Sequence, residues 1–184
     1  MSNYTIGELR DIDTGSWFSE EFKREPFPTL EEVLAYSKGK IAVNIEIKHE
    51  SVTDSLEGGI VEKALELVKN LEMEDEVIFS SFDYRVMDHL NKLAPDISKA
   101  LLYEEIQSNG LSPSQLVDLY KVDAFNCSYK ELSQAWIDEL NENKIPFFVY
   151  TINDEQLMEK VIHSGANGIF TDKPDILIKV VENL

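Results

Sequence analysis

Two kinds of hydrophobic pattern alternate along this chain. Short runs rich in Val, Ile, Phe and Tyr, at 41–48, 76–82, 98–103, 122–127, 146–152 and 168–171, predict six β-strands. Between them, apolar residues recur at helical spacing. Val61, Leu65, Val68 and Leu71 share one helix face, and Asp83 is placed to cap a helix carrying Val86, Leu90 and Leu93. Thr29-Leu30-Glu31-Glu32 is a capping box that opens a helix through about Ser37. Ser112-Pro113 opens another, with proline at its first position, and Asn153-Asp154 a third, with Gln156 at the capping-box position. Strict β-α alternation implies parallel strands joined by right-handed crossovers, in a doubly wound sheet or a barrel. The first strand has no Gly-rich phosphate loop after it, which turns the reading towards a TIM-type (β/α) barrel. A closed barrel of that type has eight strands. About six βα units are legible here, so the expectation is an incomplete barrel. No linker or low-complexity stretch divides residues 1–184, which read as one domain.

Composition narrows the partners. The net charge is -18, from 17 basic and 35 acidic residues, and no Lys/Arg stripe offers itself to phosphates, so nucleic acid is excluded as a partner. An apolar content of 43% with 28% charged residues belongs to a soluble globular chain with a core of its own. The single cysteine, Cys127, excludes an intramolecular disulfide and a thiolate zinc cluster. Residues 1–10 lack a basic region followed by an apolar run, and no stretch is long and apolar enough for a membrane span. The expected location is cytoplasmic.

The most telling strand is Ile41-Ala42-Val43-Asn44-Ile45-Glu46-Ile47-Lys48, which turns from apolar to charged at its C-terminal end. Side chains two apart lie on the same face of a strand, so Glu46 and Lys48 share one. In α/β proteins that end of a strand is where sites are built. The pair is read either as a plain ion pair or as part of a site.

Motifs elsewhere favour the site. Leu9-Arg10-Asp11-Ile12-Asp13-Thr14-Gly15-Ser16-Trp17-Phe18, Pro28-Thr29-Leu30-Glu31-Glu32-Val33-Leu34, Asn44-Ile45-Glu46-Ile47-Lys48, Ser80-Ser81-Phe82-Asp83, Tyr150-Thr151-Ile152-Asn153 and Gly168-Ile169-Phe170-Thr171-Asp172-Lys173-Pro174 follow one another in the order of the glycerophosphodiester phosphodiesterase family, which the chain resembles over nearly its whole length. The resemblance implies a TIM-type barrel that uses a divalent cation, Mg²⁺ or Ca²⁺, to hydrolyse a glycerophosphodiester to glycerol 3-phosphate and an alcohol. It implies that Glu46 is a metal ligand and that Lys48 is a catalytic residue beside the phosphate. Tyr150 stands where the family commonly has a pocket-lining Trp.

The same resemblance defines what is not in this sequence. The family's opening strand carries His-Arg-Gly, and its second carries Glu-x-Asp followed by His-Asp; neither occurs here, so the barrel is expected to lack its first two strands. The three histidines, His49, His89 and His163, do not match the family's catalytic pair. His49 is expected to point away from the Glu46 face, and His89 and His163 read as solvated helix residues. Phosphodiester hydrolysis needs an in-line nucleophile, protonation of the leaving alkoxide and neutralisation of the equatorial oxygens. A Mg²⁺ or Ca²⁺ ion takes about six or more oxygens. With Glu46 alone, cation binding is expected to be weak or absent, and the chain by itself is expected to have little or no turnover.

Other candidates carry two readings each. Ser81 is a substrate contact reaching a phosphate, or a hydroxyl bonded to backbone. Phe148 and Tyr150 share a strand face, and Tyr150, at the C-terminal end, is the expected substrate-binding wall. Asp172 is expected to cap the helix near Pro174, Asn153 to act as an N-cap, and Cys127 to be small and buried. An open barrel exposes strand edges, which predicts a homo-oligomer formed by edge pairing or by exchange of residues 1–27, unless the segment around Trp17 and Phe18 folds back over the gap. The functional alternatives are the C-terminal part of a metal-dependent phosphodiesterase acting on a small glycerophosphodiester, complete in its parent gene or complemented by another chain, and a non-catalytic truncated barrel serving as a binding or assembly module or persisting as a stable fragment. An unrelated open α/β sheet is the third.

Overall fold

The first described segment is organised by local hydrogen bonds rather than by burial. The structure is a computed structural model and describes residues 4–184. Thr5 and Glu8 form a capping box around the short helix α1 (Ile6–Arg10). Asp13 then accepts from the amides of Gly15 at 3.0 Å and Ser16 at 2.9 Å, and the Thr14 amide donates to the Glu25 carbonyl at 2.8 Å, closing a loop. Gly15 is required there, because a Cβ would stand 1.9 Å from the Phe22 carbonyl oxygen. Trp17 and Phe18 do not fold back over the sheet. They are 83% and 70% exposed and pack edge-on against each other. α2 (Leu30–Ser37) follows, opened by the Thr29–Glu32 capping box as its sequence predicts.

From there strands and helices alternate: β1 (Val43–Glu46), α3 (Ile60–Asn70), β2 (Val77–Ser81), α4 (Tyr84–Leu93), β3 (Lys99–Leu102), the one-turn α5 (Glu105–Ser108) with α6 (Pro113–Tyr120), β4 (Ala124–Ser128), α7 (Gln134–Glu142), β5 (Phe147–Tyr150), α8 (Glu155–His163), β6 (Gly168–Ile169) and α9 (Pro174–Glu182). Asp83 caps α4 through the Arg85 amide, and Ser112-Pro113 starts α6. All six predicted strands form, each shorter than its apolar run. Ile41, for example, precedes β1 and is 67% exposed.

The six strands pair in parallel in chain order and curl into a half-barrel of the TIM type with helices outside. Register decides the faces, because paired residues of parallel neighbours point the same way. Ile45, Phe79, Lys99 and their register mates turn towards the helices; so do Leu101, Phe125 and Phe147. Phe79, Leu101, Phe125, Phe147, Val149 and Cys127 are fully buried there among Leu34, Val68, Leu90, Leu116, Leu140 and Met158. Each such side chain contributes about 1.5–3 kcal/mol by leaving water. The concave face carries Asn44, Glu46, Ser80, Ala100, Asn126, Phe148 and Tyr150.

One histidine departs from its expected place. His89 lies on α4 three residues after Val86 and next to Leu90, on the border of the buried stripe, and α3 packs over it. It is 8% exposed, with Nε2 3.3 Å from a Glu62 carboxylate oxygen, rather than solvated. Among the described residues no helix is long and apolar enough to cross a membrane.

Candidate active site

β1 ends in the pair that its sequence singles out. The Lys48 ammonium donates to Glu46 Oε1 at 2.7 Å, with the carboxylate side chain 28% exposed and the lysine side chain 66%. Both line a cavity of about 200 Å³ at the C-terminal ends of the strands. Asn44 enters the same cavity from two residues earlier on β1, and Leu102 from the end of β3. Tyr150 and Thr151 close it at β5, with Phe82 and Phe170 from the segments after β2 and β6. The Tyr150 ring meets Phe82 edge-on at 6.1 Å and Phe170 at 6.2 Å, a continuous aromatic wall. Burial first, then nearby carboxylates such as Glu131 and Glu46, raises the Tyr150 hydroxyl pKa, so it stays a neutral donor. Gly168 leaves room for this wall, since a Cβ there would stand 2.7 Å from the Phe148 ring.

Two uncharged oxygens lie on the same concave face. Ser80 pairs with Glu46 in register, and Asn126 pairs with Phe148. They are 0% and 2% exposed, and Ser80 Oγ and Asn126 Oδ1 have no hydrogen-bond partner among the described residues.

Ser81 is not brought into this group. Its hydroxyl is buried, donates to the Ile47 carbonyl at 2.7 Å and accepts from the Asp83 amide at 3.0 Å, joining the ends of β1 and β2. His49 sits on the turn after β1, 66% exposed and 3.4 Å from the Glu50 carboxylate, beside a different cleft. His163 is exposed at the end of α8, its Nδ1 2.9 Å from the Glu159 carbonyl oxygen. None of the three histidines lines the Glu46 cavity.

The loops after β5 and β6 correct two capping expectations. Asp154, not Asn153, caps α8, accepting from the Leu157 amide at 2.9 Å. Asn153 instead accepts from the Thr171 hydroxyl at 2.9 Å and the Asp172 amide at 2.8 Å, and donates to the Asp172 carboxylate at 2.7 Å. Asp172 is thereby held across the two loops, and no side chain caps α9. A cap is a contact within three residues; Asn153 found partners eighteen and nineteen residues away. Cys127 is buried on the helix side, where burial above all pushes its thiol up to about 12 and keeps it inert.

The donors do not make a cation site on their own. Among the described residues no three His, Cys, Asp or Glu side chains converge. Glu46 supplies one carboxylate, already paired with Lys48, and Asn44 one carboxamide, well short of the oxygen set that Mg²⁺ or Ca²⁺ takes.

A parallel half-barrel with helices outside is of the TIM-barrel type, and the acid, the lysine and the aromatic wall lie at the strand ends where such barrels build their sites. The particular kind follows from comparison: the sequence profile of the Glycerophosphoryl diester phosphodiesterase family matches residues 1–176, and the chain belongs to that family. A glycerophosphodiester phosphodiesterase of Caldanaerobacter subterraneus subsp. tengcongensis is 31% identical over 182 residues, which cover 98% of this chain and 72% of the relative. One from Bacillus altitudinis is 27% identical over 188 residues, covering 100% of this chain and 74% of the relative. Among solved structures, an Oleispira antarctica phosphodiesterase in complex with its product sn-glycerol-3-phosphate superposes with a TM-score of 0.86 at 22% identity, over 98% of this chain and 72% of that one. A glycerophosphodiester phosphodiesterase from Parabacteroides distasonis gives 0.79 at 23% identity, over 97% and 71%.

Asn44, Phe82, Leu102, Thr151 and Phe170 complete the cavity without having been singled out from sequence. For Asn44 the signal was there, since it precedes Glu46 by two in a strand. Phe82 and Phe170 lie just past strand ends, where nothing local says which way a ring turns.

Proposed function

We propose that the Glu46–Lys48 cavity binds the phosphate of a small glycerophosphodiester and serves the family's reaction, hydrolysis to glycerol 3-phosphate and an alcohol. The observation that carries this is the meeting of Glu46, Lys48 and Tyr150 in one cavity at the C-terminal mouth of the half-barrel, in a chain of this family. The product bound in the Oleispira antarctica neighbour supports it.

In this reading Lys48 neutralises phosphate oxygens as charge develops on them. Tyr150 is the wall against which the glycerol packs, and Glu46 is the residue that contributes to a metal site. Ser81 acts indirectly, by fixing the end of β1 through Ile47. Proton transfer in hydrolysis needs a positioned acid and base, and no histidine lines the cavity. The 184-residue chain alone therefore acts as a ligand-binding half of the site with no turnover, in one barrel domain, in a reducing cytoplasm. Mg²⁺ or Ca²⁺ binds it more weakly than about 10⁻³ M. Among the described residues the outer strands β1 and β6 each pair on one side only, and the chain associates with itself through those edges.

The test is release of glycerol 3-phosphate from glycerophosphocholine and glycerophosphoethanolamine, with Mg²⁺ or Ca²⁺, on a folded sample sized by light scattering. No release is expected, together with saturable binding of glycerol 3-phosphate that Lys48→Ala weakens and a mass above the 21.0 kDa of one chain. Turnover that disappears with EDTA and with Glu46→Gln would overturn the inactive reading. Failure to bind glycerol 3-phosphate would overturn the site, and a mass of one chain would overturn self-association.

A further inference from the structure

Three clefts of this molecule carry acids: Glu46 in the cavity described above, Asp83 and Glu104 in the cleft beside His49, and Glu62 and Glu66 between α3 and α4. A further one, about 170 Å³ between α7 and α8, has no carboxylate in its lining, although the chain holds 35 acidic residues and a net charge of -18. Leu132, Ile137 and Val161 form its apolar floor, and its one charge is the Lys160 ammonium.

We infer that this cleft is a binding site for a small anion with an apolar body, a carboxylate of about the size of benzoate. It shares no residue with the Glu46–Lys48 cavity, so it stands apart from the function proposed there.

The polar end is built from two donors. Lys160 donates to the Tyr129 hydroxyl at 3.2 Å, and its ammonium lies 5.9 Å from the centre of the Tyr129 ring. An ammonium has three protons and a phenol one, so with that bond made both groups still have a proton to give. Lys160 makes no ion pair among the described residues. Two acids on the neighbouring segments are engaged elsewhere: Glu131 accepts from the Ser128 amide at 2.9 Å, and Asp138 from Gln134 at 2.8 Å. A carboxylate entering the cleft meets a charged donor and a neutral one, with no like charge in the lining.

The apolar end sets the size. An aliphatic cavity of about 150 Å³ holds a benzene ring, and the 170 Å³ here offers the same capacity over Val161, which is itself buried. The walls are fixed by their own hydrogen bonds. The Tyr129 amide donates to the Tyr150 carbonyl at 2.9 Å, the Leu132 amide to the Ser128 carbonyl at 3.2 Å, and the Asn141 side chain of α7 to the Ser164 carbonyl after α8 at 2.9 Å. A ligand therefore orders little on entry.

The experiment is an amide-resolved NMR titration of the 184-residue chain with benzoate, benzamide and acetate. Benzoate is expected to shift Tyr129, Leu132, Ile137 and Val161 saturably, with a Kd of about 1 mM. Benzamide lacks the charge and acetate lacks the ring, and each is expected to bind about tenfold more weakly. Lys160→Met keeps the aliphatic stem and removes the charge, and is expected to weaken benzoate about tenfold while leaving benzamide unchanged. Tyr129→Phe keeps the ring and removes the second donor, for a loss of about threefold. Spectral dispersion checks that both variants fold. Acetate binding as tightly as benzoate would reduce the site to a surface charge, and benzamide binding as tightly would reduce it to an apolar groove. Either result overturns the inference, as does an unchanged benzoate affinity in Lys160→Met or the absence of shifts at the four named residues.

Discussion

The two faces of the sheet follow opposite rules. On the helix side, Phe79, Leu101, Phe125, Phe147 and Val149 form a continuous buried layer. On the concave side the same strands present Asn44, Glu46, Ser80, Asn126 and Tyr150, and two of those bury a polar oxygen with no partner among the described residues. An unpaired buried oxygen costs about 1–3 kcal/mol, so the concave face is not arranged for stability. Polar groups that a fold does not satisfy concentrate where function holds them. The difference teaches that the helix side holds the strands at fixed heights while the concave side uses those heights to bring distant residues together.

The largest effect should come from the helix side. Phe125→Ala is expected to cost about 3–5 kcal/mol in urea unfolding, from lost burial plus the cavity left behind. Phe148→Ala, on the concave face of the adjacent strand, should cost less than about 2 kcal/mol because its ring is only half buried. Equal losses would erase the distinction between the faces.

Lys99 sharpens the comparison from the other direction, as a lone cation on the buried side. It is 2% exposed, its ammonium donates only to the Pro95 carbonyl at 2.9 Å, and burial lowers its pKa below the ordinary 10.5, against the opposing pull of Asp123 and Asp96. The unfolded chain therefore holds this proton more firmly, and the penalty is fully present below the folded pKa. Stability of the native protein should rise with pH through the folded pKa and up to 10.5. Lys99→Met should be more stable by about 1–2 kcal/mol near pH 7, with a gap that closes by about pH 10.5. Urea melts of both proteins at pH 7 and pH 10 check it; a gap that widens with pH would refute the account.

The smallest effect is expected at the site. Glu46→Gln should change unfolding free energy by less than about 0.5 kcal/mol, since its partner Lys48 is mostly exposed. A loss of several kcal/mol would make the pair a structural element.

Much of this was legible in the chain, and the failures share one cause. Period two placed Glu46 and Lys48 on one face, and the helix caps at Thr29, Asp83 and Ser112 were readable because a cap is a local contact. His89, Asn153 and Asp172 took other places than expected. Their partners are Glu62, 27 residues before His89 and on a different helix, and the loop residues that β5 and β6 bring side by side. Ser81 is of the same kind, because its partner carbonyl at Ile47 is 34 residues back.

By itself the sequence determined the order of elements, their parallel pairing, the charged end of β1 and the family, because propensity, periodicity and short motifs act over a few residues. Only the tertiary structure decided which aromatic rings face Glu46 and that Phe82 lines two cavities. Those outcomes depend on strand register and on how loops forty and a hundred residues apart meet, and no local pattern records them.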